Sequence, residues 1–261
     1  NIIKSITKKT VAIIVVHFSG LPCDMGKISK FCKKRNIKII EDSAETLGAK
    51  VNNKYTGTFG IGCFSFFPTK NITTTEGGML TTNNKKIYDY VKKLIAHGID
   101  KDIKPNFWHR EAVLPGHNFR MPNHLAAMGY VQLKKITKFN KARNSIASLY
   151  SSELPKITNK IKIPYIPKGF THSYQMYTIT VEAKLRNKLL NFLKKNDIGA
   201  SAHFDPPLHL QKYLKKYNKK KLTETEKLAK QILTLPIFPD MTKKEALYVT
   251  KTINKFYKIN S

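Results

Sequence analysis

Apolar residues recur along this chain in two alternating rhythms, short runs suited to strands and three-to-four spacing suited to helices. The run over 11–18 predicts a strand, and Asp24 then caps a helix whose apolar positions are Ile28, Phe31 and Cys32. A second strand is predicted over 37–41, which completes a βαβ-like unit with a right-handed crossover. Gly57, Gly60 and Gly62 lead into a short strand over 63–66, and 78–82 reads as another. A helix over 84–97 places Ile87, Val91, Leu94 and Ile95 on one face, with Gly98 as its terminator. Residues 99–117 lack a period and form a loop too long to be a mere connection.

Helical patterns resume near Asn123 and continue, with a break, to about Ser152. Beyond Pro155 the character changes: 174–181 suggests a strand, and a helix near 184–196 stops before Gly199. Thr223 to Glu226 and Thr242 to Glu245 each fit a capping box at the head of a terminal helix. No internal repeat or low-complexity linker interrupts the order. The pattern predicts an α/β protein, with a large domain over 1–140 followed by a connecting helix and a smaller α/β domain over 141–261.

Chemistry concentrates in the first of these. Gly60-Ile61-Gly62-Cys63-Phe64-Ser65-Phe66-Phe67-Pro68-Thr69-Lys70 runs into Thr75-Glu76-Gly77-Gly78-Met79. A lysine set among glycines and a hydroxyl suits a Schiff base to an aldehyde cofactor, with Ser65 as a phosphate ligand. Upstream, the strand Ile37-Lys38-Ile39-Ile40 ends in Glu41-Asp42-Ser43-Ala44-Glu45. Ligands of open α/β sheets bind beyond the carboxyl ends of strands, which places Asp42 to meet a cofactor. A lysine for the aldehyde carbon and an aspartate for a pyridinium nitrogen are the two protein groups that pyridoxal phosphate (PLP) chemistry needs.

With these residues in view, the chain resembles the DegT/StrS-type nucleotide-sugar aminotransferases. The resemblance runs through Glu41 to Gly48, Phe64 to Lys70 with Thr74 to Gly78, Gly116-His117-Asn118-Phe119-Arg120-Met121, Ala126-Ala127 with Gln132-Leu133, and Leu233-Thr234-Leu235-Pro236. These stretches keep the family's order over essentially the whole chain. The resemblance implies a fold-type-I PLP aminotransferase whose large domain holds a mixed sheet. It implies that Lys70 binds PLP and shuttles a proton, that Asp42 pairs with the ring nitrogen, and that Ala44 lies against the ring. Glu45 occupies a position near the ring's 3-oxygen, where many relatives have glutamine or histidine. The resemblance further implies that Ser65 holds the phosphate and that Asn118 reaches the phosphate of the other subunit of a homodimer. Arg120 would anchor the surrounding loop. His203 and His209 fall in a stretch similar to the family's substrate-side loop.

The implied reaction moves an amino group from an amino acid, glutamate in this reading, to a keto-sugar nucleotide, for amino-sugar and surface-glycan biosynthesis. Phe64-Ser65-Phe66-Phe67 and Thr73 to Met79 lean towards the perosamine-synthase-like branch, acting at sugar C4. One alternative is a PLP-dependent sugar dehydratase, whose kind usually replaces the lysine by histidine; Lys70 speaks against it. The other is a non-catalytic regulator or basic binding protein on the same scaffold.

Composition enters here because it invites that last alternative. The net charge is +30 over 261 residues, yet only Arg35, Arg110, Arg120, Arg143 and Arg186 among the 47 basic residues are arginines. Groove readers favour arginine at base edges, and single-strand binders interleave aromatics with basic residues on one surface. Dispersed lysines fit solvated helix faces better, so no nucleic-acid partner is expected, although the charge suits an anionic substrate. Cys23, Cys32 and Cys63 are odd in number and lack C-x-x-C spacing, which argues for a reducing compartment and against a zinc site. His203 and His209 lack a third ligand at metal spacing, and no metal is expected. No apolar run reaches the ~18 residues of a membrane span and no signal pattern opens the chain, so a cytoplasmic protein is expected. His17 follows a strand, where a structural role is at least as apt as a functional one. The chain opens on Asn1 and enters a strand within a few residues. It is therefore read as truncated, lacking a segment that in the family contributes to the phosphate and stacks an aromatic on the ring.

Overall fold

The computed structural model describes residues 1–103, 106, 108–218 and 220–260. The chain divides into two compact units, one of Asn1–Phe18 and Pro22–Ile136, the other of Ser19–Leu21 and Thr137–Ser261.

The first unit opens with a short helix, α1 (Ile2–Ser5), and is built on a four-stranded sheet. β1 (Ala12–Val16), β2 (Lys38–Asp42) and β5 (Ile61–Ser65) run parallel, and β6 (Gly78–Thr81) closes the edge antiparallel to β5, in the order β1-β2-β5-β6. Between β1 and β2 lies α2 (Met25–Lys34), whose first turn is capped by Asp24 accepting from the Lys27 N–H at 3.2 Å. One face of α2 is apolar, so Met25 and Cys32 bury against Val15, Ile37 and Ile39, with Ile13, Ile28 and Phe31 at the margin. Strand side chains alternate between faces. Ile14 and Val16 therefore stand on the other side of β1, 69% and 55% exposed. A tight hairpin of β3 (Lys50–Val51) and β4 (Lys54–Tyr55) turns through Asn52 and Asn53, both at positive φ, where asparagine is well tolerated.

The helix read over 84–97 is α3 (Lys85–Leu94), capped by Asn84. It ends earlier than expected because Ala96 to Ile99 turn to pair with the returning chain: Ala96 bridges Asn118 and Ile99 bridges Ala112. Gly98, at φ +74°, is the residue this turn requires, since a Cβ there would meet the Leu114 carbonyl oxygen at 1.8 Å. Much of the 99–117 loop is thus a paired return; Lys104, Pro105 and Phe107 within it lie outside the described residues. α4 (Asn123–Leu133) completes the unit, followed after Lys134–Lys135 by α5 (Ile136–Ile157), the break expected in this helical stretch.

The second unit packs α5, α6 (Ala183–Lys195) and α8 (Lys243–Asn260) around a two-stranded antiparallel sheet of β8 (Tyr177–Thr180) and β9 (Ile232–Leu235). A short strand, β7 (Phe170–Thr171), precedes β8, and α7 (Thr223–Ala229) precedes β9. β8 is shorter than the apolar run that announced it, because Tyr174 adopts a positive φ and breaks the extended backbone. Every residue of β9 is buried. Tyr150, Leu154, Tyr177, Leu189, Leu193, Leu233 and Ile253 form the centre of the core. Arg143 is buried there as well; its guanidinium donates to the Ile237 carbonyl at 2.7 Å, while its Nε is buried without a partner.

Candidate active site

The site is laid out by the register of the three parallel strands. Val16, Asp42 and Cys63 stand side by side at their carboxyl ends. Ser65, two residues beyond Cys63, shares its face, so Asp42 and Ser65 lie on one side of the sheet. Asp42 is held closely. Its backbone carbonyl accepts the His17 N–H at 3.1 Å, and its Oδ1 accepts the Ala44 N–H at 3.1 Å. That contact starts a turn in which Ser43 N–H donates to the Cys63 carbonyl and Thr46 N–H to the Ser43 carbonyl. The turn brings Ala44 and Glu45 beyond the strand end.

Lys70 comes from the other side. After β5 the chain turns, with Ser65 Oγ accepting the Phe67 N–H at 3.3 Å and the Lys70 N–H donating to the Phe67 carbonyl at 3.0 Å. Lys70 Nζ then lies 3.4 Å from Glu45 Oε1, with the two side chains only 16% and 15% exposed. Thus Lys70 meets Glu45, Ala44 meets Asp42, and Asp42 and Ser65 stand at the carboxyl ends of the neighbouring strands β2 and β5. Glu45 has Lys70 as its partner, a pairing that the sequence did not announce.

The segment behind Lys70 is fixed by a side chain that spacing could not connect to it. Gln132, on α4, grips the Thr73 backbone twice, accepting its N–H at 3.1 Å and donating to its carbonyl at 2.6 Å. Gly129 lets the same helix approach, since a Cβ there would meet Thr74 Cγ2 at 2.8 Å.

A second missed feature sits on the opposite face of β2. Glu41 is fully buried and accepts from His17 Nε2 at 3.2 Å and from the N–H groups of Gly57, Phe59 and Gly60 at 2.9, 2.6 and 3.0 Å. Burial alone would raise its pKa, but these four donors outweigh burial and hold the carboxyl below the usual carboxylate range. The alternation of Ile39, Glu41 and the helix-covered face could have revealed it. Cys63, beside Asp42, has its thiol pushed up by burial and by the Asp42 charge, both of which disfavour the thiolate.

The remaining candidates have partners of their own. Asn118 is exposed, and its Oδ1 accepts from Arg120 Nε at 3.4 Å. In the second unit, His203 Nδ1 lies 2.9 Å from Thr234 Oγ1, and His209 Nε2 lies 3.3 Å from Glu226 Oε1. Among the described residues no group of three or more His, Cys, Asp or Glu could hold a metal, and no helix is long and apolar enough to cross a membrane.

Comparison with known proteins identifies relatives of the whole chain. The model of the DegT/DnrJ/EryC1/StrS aminotransferase family matches residues 1–254. GDP-perosamine synthase of Escherichia coli O157:H7 is 37% identical over 98% of this chain and 68% of its own. Among solved structures, the Helicobacter pylori aminotransferase PseC, involved in the biosynthesis of pseudoaminic acid, superposes with a TM-score of 0.90 at 26% identity, covering 98% of this chain and 69% of that one. A Streptococcus pneumoniae protein solved in its PLP form gives 0.84 at 25% identity, covering 97% and 69%.

Proposed function

Because the chain belongs to the DegT/DnrJ/EryC1/StrS aminotransferase family, we propose that it transfers an amino group from an amino acid, glutamate in our reading, to a keto-sugar nucleotide. It has the α/β fold of the PLP aminotransferases, and it is a PLP-dependent enzyme of the sugar-modifying kind. The branch we favour is perosamine-synthase-like, acting at sugar C4, on the strength of the likeness to the E. coli enzyme.

The residues at the strand ends fit the cofactor by the chemistry of their side chains. PLP, when bound, supplies an aldehyde carbon for amines and a protonated ring that draws electrons from a carbon losing its proton. Lys70 offers a largely buried amine on a turn pinned to Phe67, the group that would hold the cofactor and then take and return a proton. Glu45 orients that amine from 3.4 Å. Asp42 presents a carboxylate that would keep the proton on a ring nitrogen, Ala44 leaves room beside it, and Ser65 offers a hydroxyl to a phosphate. Asn118 would serve the phosphate of a second subunit, which makes a homodimer part of the mechanism. His203 and His209 would lie on the sugar side.

What supports the reading is that Lys70 pairs with Glu45 in the same short turn in which Ala44 donates to Asp42, beyond the carboxyl end of β2. Borohydride reduction of the PLP-loaded protein, followed by peptide mass spectrometry, is expected to find the cofactor fixed to Lys70. A Lys70→Ala protein that still acquires a covalent adduct would overturn it.

A further inference from the structure

We propose that the buried His17–Glu41 pair is the positioning brace of the site: it fixes where Asp42 stands, and turnover depends on it more than cofactor affinity does. The inference rests on the reading of Asp42 given above.

Glu41 and Asp42 are neighbours whose side chains leave β2 on opposite faces. Aspartate is short, so the place of its carboxylate is inherited from its backbone. That backbone is held from the far side. His17 binds Glu41 with its ring at 3.2 Å and Asp42 with its own N–H at 3.1 Å, so one residue touches both. Glu41 in turn gathers the Gly57, Phe59 and Gly60 N–H groups, the turn that leads into β5 and hence to Ser65. The ends of β1 and β2 and the approach to β5 are therefore joined at a single carboxylate.

Only an ionised carboxylate suits this place. It must accept from four donors, which is about its full lone-pair capacity, and it offers no hydrogen of its own. A glutamine would turn an NH2 group against backbone N–H groups. The tautomer of His17 is set by its neighbours as well. Cys23 N–H donates to Nδ1 at 3.1 Å, so the ring N–H is on Nε2 and is donated to Glu41. Each ring nitrogen is thus in use. His17 is a bridge with one donor and one acceptor, which identifies its best replacement. Glutamine offers the same pair of functions on a side chain of similar reach, whereas leucine offers neither.

The test uses the PLP-loaded protein and the variants Glu41→Gln, His17→Leu and His17→Gln, with Asp42→Asn as a control. Amide exchange at Gly57, Phe59 and Gly60 reports the brace directly, and steady-state kinetics separate kcat from KM. For Glu41→Gln and His17→Leu we expect faster exchange at the three amides, PLP affinity and KM within about threefold of the parent, and kcat lower by about tenfold or more, since small misplacements of a reacting group are costly. His17→Gln is expected to restore kcat to within about threefold. The brace is refuted if exchange quickens while kcat stays near the parent's, or if His17→Gln loses as much as His17→Leu. Should Glu41→Gln and His17→Leu not fold, His17→Gln decides alone: turnover near the parent's supports the brace and a tenfold loss (about, on the same scale) overturns it. If Asp42→Asn itself turns over normally, the reading of Asp42 fails; if it is slow while Glu41→Gln is not, only the brace fails.

Discussion

His172 shows what burial alone does to a side chain in this protein. It is 5% exposed, accepts the Tyr174 N–H through Nδ1 at 2.9 Å, and stacks on the Tyr174 ring with centroids 3.9 Å apart. Burial pushes its imidazole from 6.5 down to about 4. The unfolded chain therefore binds a proton that the folded chain refuses between those values. Its contribution is fully present above pH 6.5 and is lost as pH falls towards 4, amounting to about 3 kcal/mol. Glu41 acts in the same sense, with stability present above the ordinary carboxylate range and lost as pH falls through its lowered folded value. Urea unfolding of the parent is expected to weaken across this window and that of His172→Gln to weaken less; parallel curves would contradict the assignment. At this scale, residue type and spacing were enough to bring forward Lys70, Asp42 and Ser65 as candidates. Residue type alone could not separate Glu41 from Asp42, since two adjacent acids read alike; only the alternation along β2 assigns them to opposite faces. Gln132 was legible as part of a motif, but its grip on Thr73 crosses 59 positions of chain.

Helix ends show how an element can satisfy a pattern without using it. Thr242 and Glu245 form the expected capping box, Thr242 Oγ1 accepting the Glu245 N–H at 3.2 Å and Glu245 accepting the Thr242 N–H at 2.7 Å. The similar Thr223 and Glu226 do not. There the helix is capped at Leu222, whose N–H donates to Glu226 Oε1 at 3.0 Å, and the same carboxylate oxygen faces His209. Thr242→Ala is accordingly expected to cost about 1 kcal/mol, the usual loss of a side-chain cap. Thr223→Ala should stay within about 0.5 kcal/mol, as surface changes do. Denaturant midpoints of the two variants check this, and equal losses would contradict it. The parallel strands and α2 could be read from the sequence because their apolar positions repeat often enough to fix a period. β9 escaped as a strand because all four of its residues are buried, so it shows no alternation.

Assembly and net charge belong to the whole molecule, where a single chain's pattern says least. If Asn118 serves a neighbour's phosphate, Lys70 and Asn118 of one site come from different chains. A mixture of Lys70→Ala and Asn118→Ala proteins should then regain activity that neither has alone, and assays of reassociated mixtures check it; no gain would refute the shared site. The sheet of the first unit has a further consequence, of a colloidal kind. Ile14 and Val16 form a short apolar strip at the β1 edge of the sheet, and Leu80, 39% exposed, stands on the same face at the opposite, β6 edge. Such a strip is sticky, but each molecule carries a charge of +30 and repels its copies. Salt shortens the range of that repulsion from about 10 Å at 0.1 M to about 3 Å at 1 M while leaving the apolar attraction in place. Light scattering is therefore expected to rise with sodium chloride, and Ile14→Lys with Val16→Thr should abolish the rise; a charge of this size acts as the protein's own dispersant.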